Sequence, residues 1–318
     1  PPDTSFATLR VGTLNCRGLA KTAASSTRQR FIRYLRTCSL DLLALQETHA
    51  SSTTIQDQFH LQFQAKSSIW SKHCGLVSFS SEISFSNSIV SICGRIISTM
   101  ISHASHAFEP FSTTVVYFPA SRSDRIRFLS TILTDFASVF SSSPSRSIIL
   151  GDFNYTYSNA SSSRNRQAPR SWLQYIDDHF LDGVTPQGNA SSITFQRGVS
   201  QSCIDYIMLS NDLASSVAFD HCNTSYIQPA WSNHFLISSQ LRLHPAPDAS
   251  SASAVGKGLW RAHPHLASIP LFKQLLYKAL AKRLVTLDAC LSAAQKWEQL
   301  KLTTAHVLKW FSCRVLKI

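Results

Sequence analysis

The sequence predicts an α-plus-β fold with many short strands, followed by a helical tail, on three observations. Short apolar runs rich in β-branched residues recur between residues 9 and 243, bordered by turn-forming residues. Between some of them lie stretches whose apolar residues repeat at helical spacing. Beyond residue 245 a segment of Pro, Ala, Ser and Gly interrupts the pattern, and two longer amphipathic periods follow.

The strands are expected at residues 9–14, 42–45, 75–79, 89–92, 96–101, 113–118, 148–150, 204–209 and 236–241. Helices are expected at 26–37, 123–140 and 170–179. In the second, Ile126, Leu129, Ile132, Leu133 and Phe136 lie on one face and Ser123 is placed to cap. Residues 158–169, rich in Ser, Asn and Arg, read as a positively charged loop. The organisation that follows is a domain over 1–245, a linker over 246–258 and a basic helical tail over 259–318. Leu266, Ile269, Phe272, Leu275, Leu276 and Leu280 mark one tail helix, and Trp297, Leu300, Val307, Leu308 and Phe311 the other.

At 318 residues and 44% apolar content the chain can bury a large core. No apolar run reaches the roughly 18 residues of a membrane span, so no membrane partner is expected. The net charge of +12 is unevenly spread: residues 246–318 hold eleven of the thirty Lys and Arg but three of the eighteen Asp and Glu. Such a cationic surface draws a polyanion, although a solvated charged face reads the same way. The eight cysteines form no close pairs and no zinc-type spacing, which points to a reducing, intracellular compartment. Pro1-Pro2-Asp3 at one end and Val315-Leu316-Lys317-Ile318 at the other lack start and stop signals, so the chain reads as a fragment.

Four polar motifs follow strand-like runs or border them: Asn15-Cys16-Arg17, Gln46-Glu47-Thr48, Gly151-Asp152-Phe153-Asn154 and Ser232-Asn233-His234. Glu47 stands one step past a buried strand, where an ionised carboxylate needs a cation or a donor. Oxygen ligands favour Mg²⁺ or Mn²⁺. An exposed surface Glu is the plain alternative. Asp152 and Asn154 share one side of an extended segment, so the first can deprotonate water and the second can donate to a phosphoryl oxygen. The same residues also suit an Asp-Asn turn. Asp205, a charge inside an apolar strand, needs a partner, and His234 is the candidate; a structural Asp bonded to loop amides is the alternative. Tyr117 ends another strand and offers its hydroxyl to a phosphate or packs in the core.

Taken in this order, the motifs resemble the endonuclease/exonuclease/phosphatase superfamily over residues 9–243. That resemblance implies a four-layer α/β sandwich of two mostly antiparallel sheets flanked by helices. It also implies roles: Glu47 as the main metal carboxylate with Asn15 and Asn233 beside it, Asp152 and Asn154 in water activation, Asp205 orienting His234, and Asn15, His234 and Tyr117 contacting the phosphate. Asn15-Cys16-Arg17-Gly18-Leu19, Leu45-Gln46-Glu47-Thr48 and the tail motifs Lys257-Gly258-Leu259-Trp260-Arg261 and Trp297-Glu298-Gln299-Leu300-Lys301 are similar to the non-LTR retrotransposon branch. The family motif before the last His is Ser-Asp-His, whereas here it is Ser232-Asn233-His234, a change expected to reduce activity.

The expected function is a Mg²⁺-dependent endonuclease that nicks DNA, in the nucleus, and leaves a 3′-hydroxyl to prime a linked reverse transcriptase. Arg17, Arg164, Arg166 and Arg170 are the expected nucleic-acid contacts. Two rivals stay open: a nucleic-acid-binding remnant without activity, and a phosphoesterase acting on phosphoinositides or sphingomyelin.

Overall fold

The computed structural model describes residues 6–21, 25–157, 167–245, 269–287 and 293–314. It divides into two compact units, Pro1–Ser250 and Ser251–Ile318. In chain order the first unit runs β1 (Ala7–Asn15), α1 (Ser25–Thr37), β2 (Leu42–Gln46), α2 (Thr53–Phe63), β3 (Ser67–Trp70), β4 (Cys74–Ser78), β5 (Ile83–Val90), β6 (Ile96–His103) and β7 (Phe111–Tyr117). It continues through α3 (Arg122–Asp135), β8 (Ser147–Asp152), α4 (Arg170–His179), β9 (Phe180–Asp182), β10 (Phe195–Arg197), β11 (Ser200–Ser202), β12 (Asp205–Ser210), β13 (Asn223–Ser225) and β14 (Leu236–Leu243). Two six-stranded sheets form, ordered β13-β14-β1-β2-β4-β3 and β5-β6-β7-β8-β12-β9, with β10 and β11 as a separate hairpin.

The side-chain period of two builds the layers. Leu9, Val11, Leu42, Ala44 and Leu76 of the first sheet meet Ile97, Val115, Ile148, Leu150 and Ile207 of the second in a core between the sheets. The alternate residues face outward. Leu14, Leu43, Leu45 and Val77 pack under Phe31, Ile32 and Leu35 of α1 and Phe59 and Phe63 of α2. Val116, Ile149, Tyr206 and Met208 pack under Leu129 and Ile132 of α3 and Trp172 and Ile176 of α4. The result is helix, sheet, sheet, helix, which is the expected four-layer sandwich. Burial on both faces explains why the central strands read as continuous apolar runs.

Both sheets are mixed. Each contains one parallel pair, β1 with β2 and β7 with β8, and the other pairs are antiparallel. This arrangement positions the site. The registers Asn15↔Gln46 and Tyr117↔Asp152 bring the carboxyl ends of both parallel pairs level. Antiparallel β12 starts at the same end, with Asp205 opposite Asp152.

Some local expectations need correction. Helix α3 ends at Asp135 instead of 140, and its cap is Ser121, whose hydroxyl accepts from Asp124 N at 3.5 Å. The strand expected at 89–92 is the end of β5, and Ile92 lies beyond it in a turn, fully exposed. Helix α2 and strands β3, β9, β10, β11 and β13 were not expected. The helix buries only Phe59 and Phe63, so it carries little apolar period, and each of these strands has only three or four residues.

In the second unit, α5 (Pro270–Val285) and α6 (Ala293–Arg314) pack through Phe272, Leu308 and Phe311, with Ile269, Leu275, Leu276 and Val307 around them. Trp297, expected on the apolar face, is 61% exposed, and Leu266 lies outside the described residues. Among the described residues no helix is long and apolar enough to cross a membrane.

Candidate active site

The joined strand ends gather buried polar groups in one place. Asn15, the last residue of β1, is buried and donates from Nδ2 to Glu47 Oε1 at 3.0 Å and to Asp152 Oδ2 at 2.8 Å. One amide thus bridges a carboxylate of the first sheet and one of the second. Its orientation is held from behind, because Arg17 N donates to Asn15 Oδ1 at 2.9 Å. Glu47 sits just past β2 in a left-handed turn with φ of 52° and also accepts from the Tyr117 hydroxyl at 3.0 Å. Tyr117 in turn lies under the Arg95 guanidinium, 4.8 Å from its ring centre.

Asp152 closes β8. The extended reading of residues 152–154 does not hold: Asn154 has a φ of 56° and forms an Asx-type turn, its N–H donating to Asp152 Oδ1 at 2.8 Å. Its Nδ2 donates to Phe118 O at 2.8 Å and to Asp152 Oδ2 at 3.1 Å. The turn still brings both polar side chains together while Phe153 enters the outer core. Gly151 is required just before it, since a Cβ there would fall 2.0 Å from Val116 O at a φ of 145°.

On the far side of Asp152, His234 Nδ1 lies 2.9 Å from Asp205 Oδ2 and 3.1 Å from Oδ1. Asp205 is held by Thr194, whose hydroxyl donates to Oδ2 at 2.8 Å and accepts from Asp205 N at 3.0 Å. The Ser232 hydroxyl ties the His loop to β1, donating to Asn15 O at 2.6 Å and accepting from His234 N at 3.0 Å. Thr194 and Ser232 were not among the expected functional residues. Their roles depend on loops that meet only after folding, although Ser232 stands inside a motif already singled out.

Charge in this enclosure is poorly solvated. Burial and the neighbouring Asp205 push the Asp152 carboxyl well above the ordinary carboxylate range. Burial opposes a charge on His234, but Asp205 outweighs it and raises the imidazole to about 9. The site therefore holds a protonated His beside carboxylates that outnumber it. Ligand atoms of Asp152, Asp205 and His234 lie within 4.8 Å of one another. Because Asp205 occupies His234 Nδ1, the oxygens of Glu47 and Asp152 are the donors that fit a hard cation. A carboxylate whose charge is under-compensated is what such a cation would relieve.

The remaining expected residues divide. Asn233 Oδ1 accepts from Arg17 at 3.2 Å and both stand at the rim, so the Asn233 amide is engaged by Arg17. Beside them a cavity of about 180 Å³ is lined by Arg197, Tyr226, Asn233, His234 and Phe235, among others. Arg170 is exposed at the start of α4; Arg164 and Arg166 lie outside the described residues.

A family model for the endonuclease/exonuclease/phosphatase family matches residues 12–226, a stretch that contains Asn15, Glu47, Tyr117, Asp152, Asn154 and Asp205. Among solved structures, truncated TDP2 of Caenorhabditis elegans aligns with a TM-score of 0.53 at 14% identity, covering 74% of this chain and 97% of that one. TDP2 of D. rerio complexed with single strand DNA product aligns with a TM-score of 0.52 at 14% identity, covering 74% and 98%. The endonuclease domain of TRAS1, a telomere-specific non-LTR retrotransposon, aligns with a TM-score of 0.50 at 12% identity, covering 74% and 99%. No curated protein sequence matches. Identities this low speak for the fold alone, and with the family model spanning most of the first unit they lead to one conclusion: the chain belongs to the endonuclease/exonuclease/phosphatase family.

Proposed function

We propose that this chain is a Mg²⁺- or Mn²⁺-dependent endonuclease that nicks DNA and leaves a 3′-hydroxyl, the primer for a linked reverse transcriptase. The observation that carries the reading is the bridge from Glu47 through Asn15 to Asp152, with the Asp205–His234 pair beside it. Glu47 and Asp152 would hold the cation, with Asn15 or Asn233 as an amide ligand if either side chain turned its oxygen inward. A bound divalent ion supplies Lewis-acid stabilisation of the phosphate charge.

The chain's own groups do the rest. Asp152, oriented by two bonds from Asn154, takes the proton of the attacking water. The new P–O bond forms, the P–O3′ bond breaks, and the leaving oxygen takes a proton from solvent water to end as the 3′-hydroxyl. His234, kept protonated by Asp205, donates from Nε2 to the developing oxyanion. Tyr117 and Asn15 fix the phosphate's approach. The net +12 charge, the DNA product in the D. rerio TDP2 complex and the retrotransposon origin of TRAS1 support a nucleic-acid substrate.

Incubating supercoiled plasmid with Mg²⁺ tests the proposal. Nicking by the parent protein is expected, and its loss with Glu47→Ala and with EDTA. Equal nicking by parent and variant overturns the assignment. Binding without nicking, unrescued by Asn233→Asp, favours the remnant, and phosphate release from a lipid head group favours the phosphoesterase.

A further inference from the structure

We propose that Arg125 of α3 is a positioning residue for the cleavage reaction: its guanidinium, buried behind the site, fixes the turn that aims Asp152 and Asn154. The proposal rests on the endonuclease reading above and extends it to a side chain outside the catalytic cluster.

The start of that turn is held by backbone bonds. Phe118 N donates to Asp152 O at 2.9 Å and Phe153 N donates to Ile204 O at 2.8 Å, so both neighbouring segments clamp the end of β8. Past Phe153, side chains take over. Asn154 Nδ2 reaches back to Phe118 O at 2.8 Å and to Asp152 Oδ2 at 3.1 Å, so the place of residue 118 decides where the carboxylate points. Residues 119 and 120 continue from it as a loop before α3. Arg125 grips that loop, since Nη1 donates to Pro119 O at 3.0 Å and to Ala120 O at 2.9 Å. The rest of the fork faces the other way: Nε donates to Gln167 O at 3.2 Å and Nη2 to Gln167 Oε1 at 2.8 Å. Its carbon lies 5.9 Å from the ring centre of Tyr155, the residue after Asn154, whose hydroxyl accepts from Trp172 Nε1 at 2.9 Å.

One planar group therefore joins the segment before the turn, the turn itself and Gln167. Two observations give this a role in the reaction. First, Arg125 is 2% exposed, and burying a guanidinium is costly where an apolar side chain would serve helix packing alone. Its bonds go to carbonyls that adjoin the residues orienting Asp152. Second, Asn154 has a φ of 56°, a sparsely populated conformation that persists only while its surroundings hold it. Loosening the 118–120 loop frees the Asn154 amide and with it the Asp152 carboxylate. Lysine keeps the charge but lacks the planar fork, so it cannot hold both sides.

The test uses the full chain with Arg125→Lys, Gln167→Ala and the control Ile132→Ala, which opens a cavity elsewhere under α3. Plasmid nicking with Mg²⁺ gives kcat and KM, urea gives the midpoint, and a ¹H–¹⁵N spectrum in EDTA follows the Asn154 side-chain amide, assigned by its disappearance in Asn154→Asp. Arg125→Lys is expected to lower kcat at least about tenfold with KM within about twofold, because alignment is lost and binding is kept. It is also expected to move the Asn154 amide signal. Gln167→Ala removes a single bond and is expected to cost about threefold in kcat, which keeps the test open if Arg125→Lys fails to fold. Ile132→Ala is expected to lower the urea midpoint while keeping kcat and the amide signal. Parent-like kcat in the first two variants, an unmoved Asn154 amide, or an equal kcat loss in Ile132→Ala overturns the positioning role. A parent that never nicks removes the endonuclease reading, and the amide signal alone then decides whether Arg125 sets the turn.

Discussion

His234 and Asp205 set a measurable state at the residue scale. The imidazole is raised to about 9, so an NMR titration of His234 is expected to show it charged at neutral pH. Replacing Asp205 with Asn is expected to lower it, because burial is then opposed only by Asp152 and Glu47. A folded pKa raised from 6.5 contributes stability that is complete below about pH 6.5 and is lost as pH rises through about 9. Urea unfolding of the metal-free protein is therefore expected to weaken across that window, and Asp205→Asn to flatten the dependence. For catalysis, Glu47→Gln is expected to cost at least about a hundredfold in plasmid nicking, with KM nearly unchanged. Asn233→Asp is expected to raise nicking, since a carboxylate there both meets Arg17 and adds negative charge near the metal ligands. Asn15, Glu47, Tyr117 and Asp152 stood out as candidates because each stands where an apolar run stops, and Asp205 because it is a charge inside one. Thr194 did not, since a lone Thr before a strand carries no signal until its hydroxyl reaches Asp205.

Two devices hold the strand ends in place at the element scale. Gly151 lets β8 approach β7 so closely that a methyl group would meet Val116 O at 2.0 Å. Gly151→Ala is expected to cost at least about 3 kcal/mol by urea denaturation, from clash and left-handed strain together. Arg125 of α3 is buried and donates to the carbonyls of Pro119, Ala120 and Gln167 and to the Gln167 side chain. Arg125→Ala leaves those acceptors unpaired, and a loss of about 2–4 kcal/mol is expected. The central strands were legible because both faces are buried. The hairpin β10–β11 and the edge strands were not, as three residues cannot display a period and tertiary pairing alone makes them strands.

The two units define the scale of the whole molecule. One core between the sheets and two between sheet and helices stabilise the first, whereas among the described residues three buried side chains anchor the second. So small a core is marginal on its own. Expressed alone, residues 1–250 are expected to unfold at the same urea midpoint as the main transition of the full chain. A large drop in that midpoint would instead mean that the tail supports the catalytic unit. Both tail helices were legible; the exposure of Trp297 was not, because periodicity does not say which of two flanking faces finds a partner.

The sequence by itself determined an α-plus-β class with many strands and the order of the chemical groups, since burial and polar stops after apolar runs are local properties; the four layers came only with the family resemblance. Only the tertiary structure decided that Asn15 bridges two carboxylates, that Asn154 turns instead of extending, and that Arg95 and His73 pack against Tyr117. Those outcomes depend on two parallel strand pairs, one in each sheet, ending level with each other. Register between distant strands is set by packing, and no single stretch of the chain encodes it.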